Sequence, residues 1–504
     1  MNNFDLDKPL IQFTTDNEQS SWTIRHAVEG VQIFGGIGSG KTSGSGRMLA
    51  LKYLKNNFGG LVLTVKPDEK AAWQENCQLT NRSGDLIIIE PNGAYNFNFL
   101  EYEATHTGSN EAITENIVEV LKTVIRASKE KDTGKNDDAF WETALDMLIF
   151  NVIDLCKLAY GTVSIQQIYD IVQSIPKAEE KQQKESGGET NKAFYNAFEK
   201  ANDDVNKKVD LWNKSLTEAE KKLFEDRTIY FAALLEAFPE VRLMQFLDQF
   251  FFESFKNLSD KTRSIIDFSF SGFLFRLLRE PVYSLFCKNK SNVVPEDCLQ
   301  GKIILINLPV KTYHKVGRDC QILFKYIWQR AMEKRQINSS SRPVFLWADE
   351  AQNFLHEHDA DFQATARSSR ISTVYITQNL PNYYAAMGGE KADYRVKSFL
   401  GTLATKIFHA NADIETNKYS SELIGEGIRD DRSKSVTIGT DNVSQSESIS
   451  LKLDRLVRPE EFMRLQTGGT INQGRVEGYM HVQGTQIHNG RNHKKMKFNQ
   501  NFIP

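Results

Sequence analysis

Short apolar runs without polar alternation punctuate the chain: VQIF at 31–34, GLVLTV at 60–65, GDLIII at 84–89, KIILINLP at 302–309, PVFLWA at 343–348, STVYIT at 372–377 and ATKIFH at 404–409. Continuous apolar runs of this length predict strands buried on both faces, as in a parallel sheet. Helical spacing from about Thr42 to Asn56 separates the first two runs, giving strand, loop, helix and strand, the opening of an α/β fold. From about Asn110 the texture changes. ITENIVEVLKTVIRAS, FWETALDMLIFNVIDLCKLAYG and RTIYFAALLEAFPEVRLMQFLDQFFFESF carry helical spacing, so 105–300 reads as mostly helical and inserted into the sheet. Within it, 176–226 is rich in Lys, Glu and Gln, and 177–191 reads as a solvated loop. After about residue 431 come short strand-like pieces, SISLKL and EGYMHV, and a basic tail, GRNHKKMKF.

Composition narrows the class. The 504 residues are 40% apolar and 25% charged, with 31 Gly and 12 Pro, which is globular and excludes collagen-like or wholly disordered chains. Such a length can bury more than one core. The net charge of −3 argues against a uniformly basic DNA-coating protein and leaves room only for local nucleic-acid contact, in a groove or pore. The five cysteines are dispersed and form no C-x-x-C pair, which suits a reducing compartment. The N-terminus has no secretory pattern, and no apolar run is long enough to span a bilayer. The expectation is a soluble, cytoplasmic, multi-domain protein.

The candidate chemistry is concentrated. Gly35-Gly36-Ile37-Gly38-Ser39-Gly40-Lys41-Thr42 is a complete GxxxxGK[ST] between a strand and a helix. Backbone amides of such a loop converge on phosphate oxygens, Lys41 neutralises β/γ-phosphate charge, and the Thr42 hydroxyl ligates Mg²⁺. The strand PVFLWA ends in Asp349-Glu350. These residues are expected to hold the metal and to polarise an attacking water, respectively. Gln378 ends the next strand and is a candidate γ-phosphate sensor. ARSSR places Arg367 and Arg370 just upstream, where either could reach a neighbouring subunit's nucleotide. ATP and Mg²⁺ are therefore the expected cofactors. His356-Glu357-His358-Asp359 lacks HExxH spacing and reads as a polar loop rather than a metal site. Arg491, His493, Lys494, Lys495 and Lys497 read as a solvated terminus, and Phe246, Phe250, Phe251, Phe252 and Phe255 as core.

With GGIGSGKT, VKPDEKAAW, NFNFL, FWETALDML, SDKTRSII, GKIILINLPV, WADEAQNF, ARSSRISTVYITQNLPNYY, NADIETNKYSSELIG and RLVRPEEFMRLQTGG in this order, the chain resembles the coupling proteins of bacterial conjugation and type IV secretion, the TraG/TraD type. The resemblance implies a RecA-like P-loop core, a mostly parallel sheet flanked by helices, with an inserted all-α domain. It divides the chain into core at 1–104, an all-α substrate-recognition insert at 105–255, and core again at 256–504. It implies a hexameric ring in which an arginine eleven residues before the sensor glutamine, here Arg367, acts in trans. The implied activity is DNA-stimulated ATP hydrolysis that moves single-stranded DNA through a pore, or hands DNA or protein to a type IV secretion channel. Relaxosome and secretion proteins are the implied partners. Family members typically begin with a membrane anchor, whereas this chain starts at the core, which leaves open an anchorless relative, a shortened chain or a protein anchored through a partner; any membrane contact is expected through a partner, at the inner face. The alternatives are a nucleotide-controlled receptor that recruits protein substrates, or a DNA pump outside conjugation.

Overall fold

The computed structural model describes residues 4–14, 19–106, 111–129, 139–176, 192–388, 391–438 and 443–504, so the expected loop at 177–191 lies outside the described residues. The strands among them are β1 (Pro9–Thr14), β2 (Gln19–Thr23), β3 (Val31–Phe34), β4 (Gly59–Leu63), β5 (Leu86–Ile89), β6 (Ile303–Ile306), β7 (Val344–Ala348), β8 (Ile371–Thr377), β9 (Thr405–His409), β10 (Glu426–Ile438), β11 (Val443–Arg455), β12 (Arg475–Val482) and β13 (His493–Asn499). Nine of the described strands form one sheet in the order β13-β12-β9-β3-β8-β7-β4-β6-β5. The pairs β9–β3, β3–β8, β8–β7, β7–β4 and β4–β6 are parallel, and β12 joins β9 and β13 antiparallel.

The apolar runs form strands because every residue of β3, β4, β6, β7, β8 and β9 is buried, so polar alternation has no solvent to face. Leu49, Ala50, Tyr53 and Leu54 of the helix Arg47–Lys55 join one core with Ile33, Val62, Phe345, Trp347, Val374 and Ile376. The Trp73 ring stacks on Phe345 at 5.6 Å and meets Trp347 edge-on at 5.4 Å, which fixes the helix Glu69–Leu79 behind β7. The antiparallel edge corrects the reading of the C-terminus. The segment expected as a solvated terminus is strand β13, with His493 and Phe498 buried, Lys494 half-buried over the Phe13 ring, and Lys495 and Lys497 pointing outward along an edge.

The chain divides into two compact units. The first comprises Met1–Ile88, Pro295–Gln321 and Ile327–Pro504 and holds the sheet. The second comprises Ile89–Val294 with Ile322–Tyr326, boundaries that lie outside the 105–255 expected for the insert. Its described regular structure is helical apart from the single residue Ile89. The helix Ala139–Tyr160 ends at Gly161, whose φ of +68° is a conformation glycine adopts without strain. The next helix, Ile165–Gln173, opens with a reciprocal cap. Ser164 Oγ accepts from Gln167 N at 3.2 Å, and Gln167 Oε1 accepts from Ser164 N at 2.9 Å. Of the phenylalanine cluster, Phe250, Phe251 and Phe255 are buried, but Phe246 is 57% exposed and does not belong to the core. Among the described residues no single helix is long and apolar enough to cross a membrane.

Two pairs of described strands, β1 with β2 and β10 with β11, stand apart from the main sheet. β10 and β11 pair antiparallel from Glu426↔Arg455 to Ile438↔Val443 and form a two-stranded ribbon. Period-two alternation puts Ile428, Leu451, Leu453, Ile449 and Val436 on the same face, and all five are exposed.

Candidate functional site

The loop between β3 and the helix Arg47–Lys55 is held by its neighbours' backbones. Gly35 N donates to Thr377 O at 3.3 Å and Gly36 N to Ala410 O at 2.8 Å. Gly40 has φ +79°, and a Cβ there would stand 2.5 Å from Val476 Cγ2, so both conformation and space require glycine. Ile37 at the loop tip is 90% exposed. Ser39 is buried and its Oγ has no hydrogen-bond partner among the described residues. Thr42–Gly46 winds as a wide π-helical turn, a form concentrated at functional sites. That turn is braced from beneath. Ser45 Oγ lies 2.7 Å from His409 Nε2, and His409 Nδ1 lies 2.8 Å from Glu477 O. The ring therefore donates to the carbonyl and accepts from the hydroxyl. Its burial holds it neutral, with a pKa lowered to about 4.

The acidic pair follows β7. Asp349 and Glu350 are buried, and Glu350 sits at φ 49°, ψ 49°, a left-handed backbone that a non-glycine residue holds only at a cost of roughly 1–3 kcal/mol. Asp349 Oδ1 accepts from Glu350 N at 2.8 Å, and Oδ2 accepts from Thr42 Oγ1 at 2.8 Å. Lys41 Nζ stands 4.0 Å from Glu350 Oε1. Because β8 lies between β3 and β7, Gln378 emerges between the glycine loop and the acids. Its Nε2 donates to Glu350 Oε1 at 3.2 Å and to Oε2 at 3.4 Å. Gln352 Nε2 donates to Glu350 Oε2 at 3.0 Å and is itself held by Thr377 Oγ1, 2.8 Å from Gln352 Oε1.

Lys41, Thr42, Asp349, Lys66, Glu69 and Trp73 line one cavity of about 390 Å³. Burial pushes the Asp349 carboxyl up, opposed by Lys66 and Thr42. Burial pushes Glu350 the same way, but the Gln352 hydrogen bond, Lys41, Gln378 and Lys66 outweigh it, so its carboxyl stays below the usual range. Glu69 is raised to about 8 by burial and by the Asp349 charge.

The arginines are not in this cluster. Arg367 is exposed, its Nε 3.3 Å from Glu29 Oε1. The Arg370 guanidinium donates to the carbonyls of Phe4, Ser339 and Ser341 and so ties down loops. In the HEHD stretch Glu357 is exposed, whereas His356 and Asp359 are buried. Asp359 is fully buried, accepting from Gln329 Nε2 at 3.0 Å and His356 N at 2.9 Å, and no metal-ligating cluster occurs among the described residues.

Sequence reasoning passed over Lys66, Glu69, Gln352 and His409 as individual residues. The first three lay inside quoted motifs and His409 ended a quoted apolar run, and the signal that points to them is position. The carboxyl ends of parallel strands carry the ligand crevice in open α/β sheets.

A glycine loop after β3, acids after the second strand along and helices on the sheet define the RecA-like phosphate-loop class. Residues 343–467 match the family described as the TraM recognition site of TraD and TraG. The fold matches the bacterial conjugative coupling protein TrwBdeltaN70 in an unbound form, with 13% identity over 98% of this chain and 89% of that chain and a TM-score of 0.61. It also matches TrwB with the non-hydrolysable GTP analogue GDPNP (13% identity, 98% and 90% coverage, TM-score 0.59). TrwB with ADP and Mg²⁺ gives 12% identity, 96% and 88% coverage and a TM-score of 0.59. No curated protein matches the sequence. The family match thus covers 343–467, and the likeness to TrwB is one of fold.

Proposed function

We propose that this protein is an ATP-hydrolysing coupling protein that binds and translocates DNA, or passes DNA and protein to a type IV secretion channel, in conjugative transfer. The observation that carries the reading is the meeting of Lys41, Thr42 and Asp349 on one cavity, with Glu350 4.0 Å from Lys41 and Gln378 on the Glu350 carboxylate, in a chain with the fold of TrwB. A triphosphate fits the loop, whose glycines leave the backbone amides open to phosphate oxygens and whose buried Ser39 hydroxyl lacks a protein partner. Magnesium fits the oxygen pair of Thr42 and Asp349, which is the donor set a hard cation prefers.

In this reading Lys41 binds phosphate charge, and Glu350 orients the attacking water and takes its proton. Gln378 and Gln352 hold the Glu350 carboxylate ionised and aimed. Magnesium, when bound, supplies charge neutralisation on the phosphates. Arg367, exposed and remote from its own chain's cluster, serves a neighbouring copy's nucleotide in a ring. DNA passes through that ring, held mainly by its backbone charge. The match at 343–467 supports a TraM-like accessory protein as partner.

The test is ATP turnover with and without single-stranded DNA, measured on the wild type, Lys41→Ala and Glu350→Gln. Stimulated turnover should vanish in Lys41→Ala. It should fall at least about 100-fold in Glu350→Gln while nucleotide binding persists. Stimulated turnover that survived Lys41→Ala would overturn the assignment.

A further inference from the structure

A second cation reaches the acidic pair from a neighbouring strand. β4 runs parallel to β7 with Leu63 opposite Ala348, so the chain leaves β4 beside Asp349. The turn that follows is pinned. Thr64 Oγ1 donates to Ile306 O at 2.7 Å, Gln321 Oε1 accepts from Thr64 N at 2.6 Å, and Glu69 accepts from Val65 N at 2.9 Å and Lys66 N at 3.3 Å. From this fixed backbone Lys66 Nζ extends to 3.9 Å from both Asp349 Oδ2 and Glu350 Oε1. Asp349 Oδ2 is also the oxygen that accepts from the Thr42 hydroxyl. The ammonium thus stands on the side of Asp349 where a divalent ion shared with Thr42 would bind.

Charge gives this position a consequence. Without nucleotide the acidic pair is two buried carboxylates, and Lys41 stands 4.0 Å from Glu350 and acts more weakly on Asp349. Lys66 supplies the second positive charge. A divalent ion arriving alone meets the repulsion of this ammonium, because two cations drawn to the same carboxylate oxygen stand only a few ångströms apart. A metal arriving with a triphosphate brings anionic oxygens to which the ammonium can turn. The Lys66 side chain is 32% exposed and has room to swing.

We propose that Lys66 is a tethered counter-cation that occupies the metal side of Asp349 until a metal–triphosphate complex displaces it, so that the site discriminates against bare divalent cations. This rests on the nucleotide-site reading above, and Lys66 acts in it as a positioning residue.

The experiment measures binding of Mn²⁺ alone, by electron paramagnetic resonance, to the nucleotide-free full-length chain. Lys66→Met should bind Mn²⁺ about 10-fold more tightly than the wild type, and Lys66→Arg should restore the weak binding. Lys66→Gln should behave as Lys66→Met and serves if the methionine variant does not fold. Asp349→Asn should abolish the gain. Equal Mn²⁺ affinity in the wild type and the neutral variants, with binding still lost in Asp349→Asn, sinks the counter-cation and leaves the nucleotide site standing. If Asp349→Asn leaves both Mn²⁺ and Mg-ATP binding intact, the site reading fails and the proposal falls with it.

Discussion

The side-chain amide of Gln378 donates to both carboxylate oxygens of Glu350, 3.2 and 3.4 Å away, from the tip of the strand that separates the glycine loop from the acids. With Gln352 on the same carboxylate, it fixes a side chain whose own backbone is held in a left-handed conformation. The tip of β8 is therefore coupled to the aim of Glu350 through this side chain.

Removing that coupling should slow chemistry more than binding. Gln378→Ala is expected to lower kcat about 10- to 100-fold with KM changed less than about threefold, since a misaimed base loses transition-state rather than ground-state interaction. Steady-state kinetics with saturating single-stranded DNA check this. An effect confined to KM would place Gln378 in substrate binding instead.

Arg367 should be needed on the neighbour rather than on the chain that binds the nucleotide. Arg367→Ala and Lys41→Ala should each be inactive alone. Mixed before assembly, they should regain part of wild-type turnover, because some interfaces then pair an intact loop with an intact arginine. No recovery in mixtures shown to co-assemble would argue against a trans role. Arg370→Ala should instead lower stability, as three carbonyls lose their donor.

The parallel half of this architecture was legible because its strands are buried on both faces and their apolar runs are unbroken. The loop and the Asp349-Glu350 pair were legible because each is a local string at a strand tip. Strand β13 was not, since the lysines at 494, 495 and 497 along an edge look like a wet tail until β12 is known to pair with them. The first hairpin, β1 with β2, went unread for a similar reason, its pairing being isolated from the main sheet. Lys66 and Glu69 become site residues only once the strand order puts β4 beside β7, a non-local fact that no window of sequence contains.

Acid should destabilise the fold before its paired carboxylates titrate. Burial lowers His409, His481 and His493 to about 4, with nearby cations adding to the effect. Each stays neutral in the folded chain while the unfolded chain takes up a proton below about pH 6.5, so stability drops as pH falls from about 6.5 to 4. Glu69, raised to about 8, acts in the opposite sense between about pH 8 and 4.5. The net expectation near pH 5 is a loss of up to about 3 kcal/mol per pH unit, from about 1.4 kcal/mol per unit for each proton. Urea unfolding at pH 7.5, 6 and 5 measures it, and His481→Gln should flatten the slope.

The cavity wall is also a structural element. Trp73 is buried against Phe345 and Trp347, so Trp73→Ala should cost about 3–5 kcal/mol. It should also loosen the helix from which Glu69 pins Lys66, weakening nucleotide binding in the fraction that remains folded. Thermal melts with and without Mg-ATP separate the two effects.

The ribbon of Glu426–Ile438 and Val443–Arg455 has a practical corollary. An isolated hairpin gains little from its own ladder, and one greasy flank left wet invites adhesion between molecules. Purified material should therefore clump in a concentration-dependent way. Replacing Ile449, Leu451 and Leu453 with threonine should keep the β-propensity, remove the stickiness and raise the concentration at which light scattering begins.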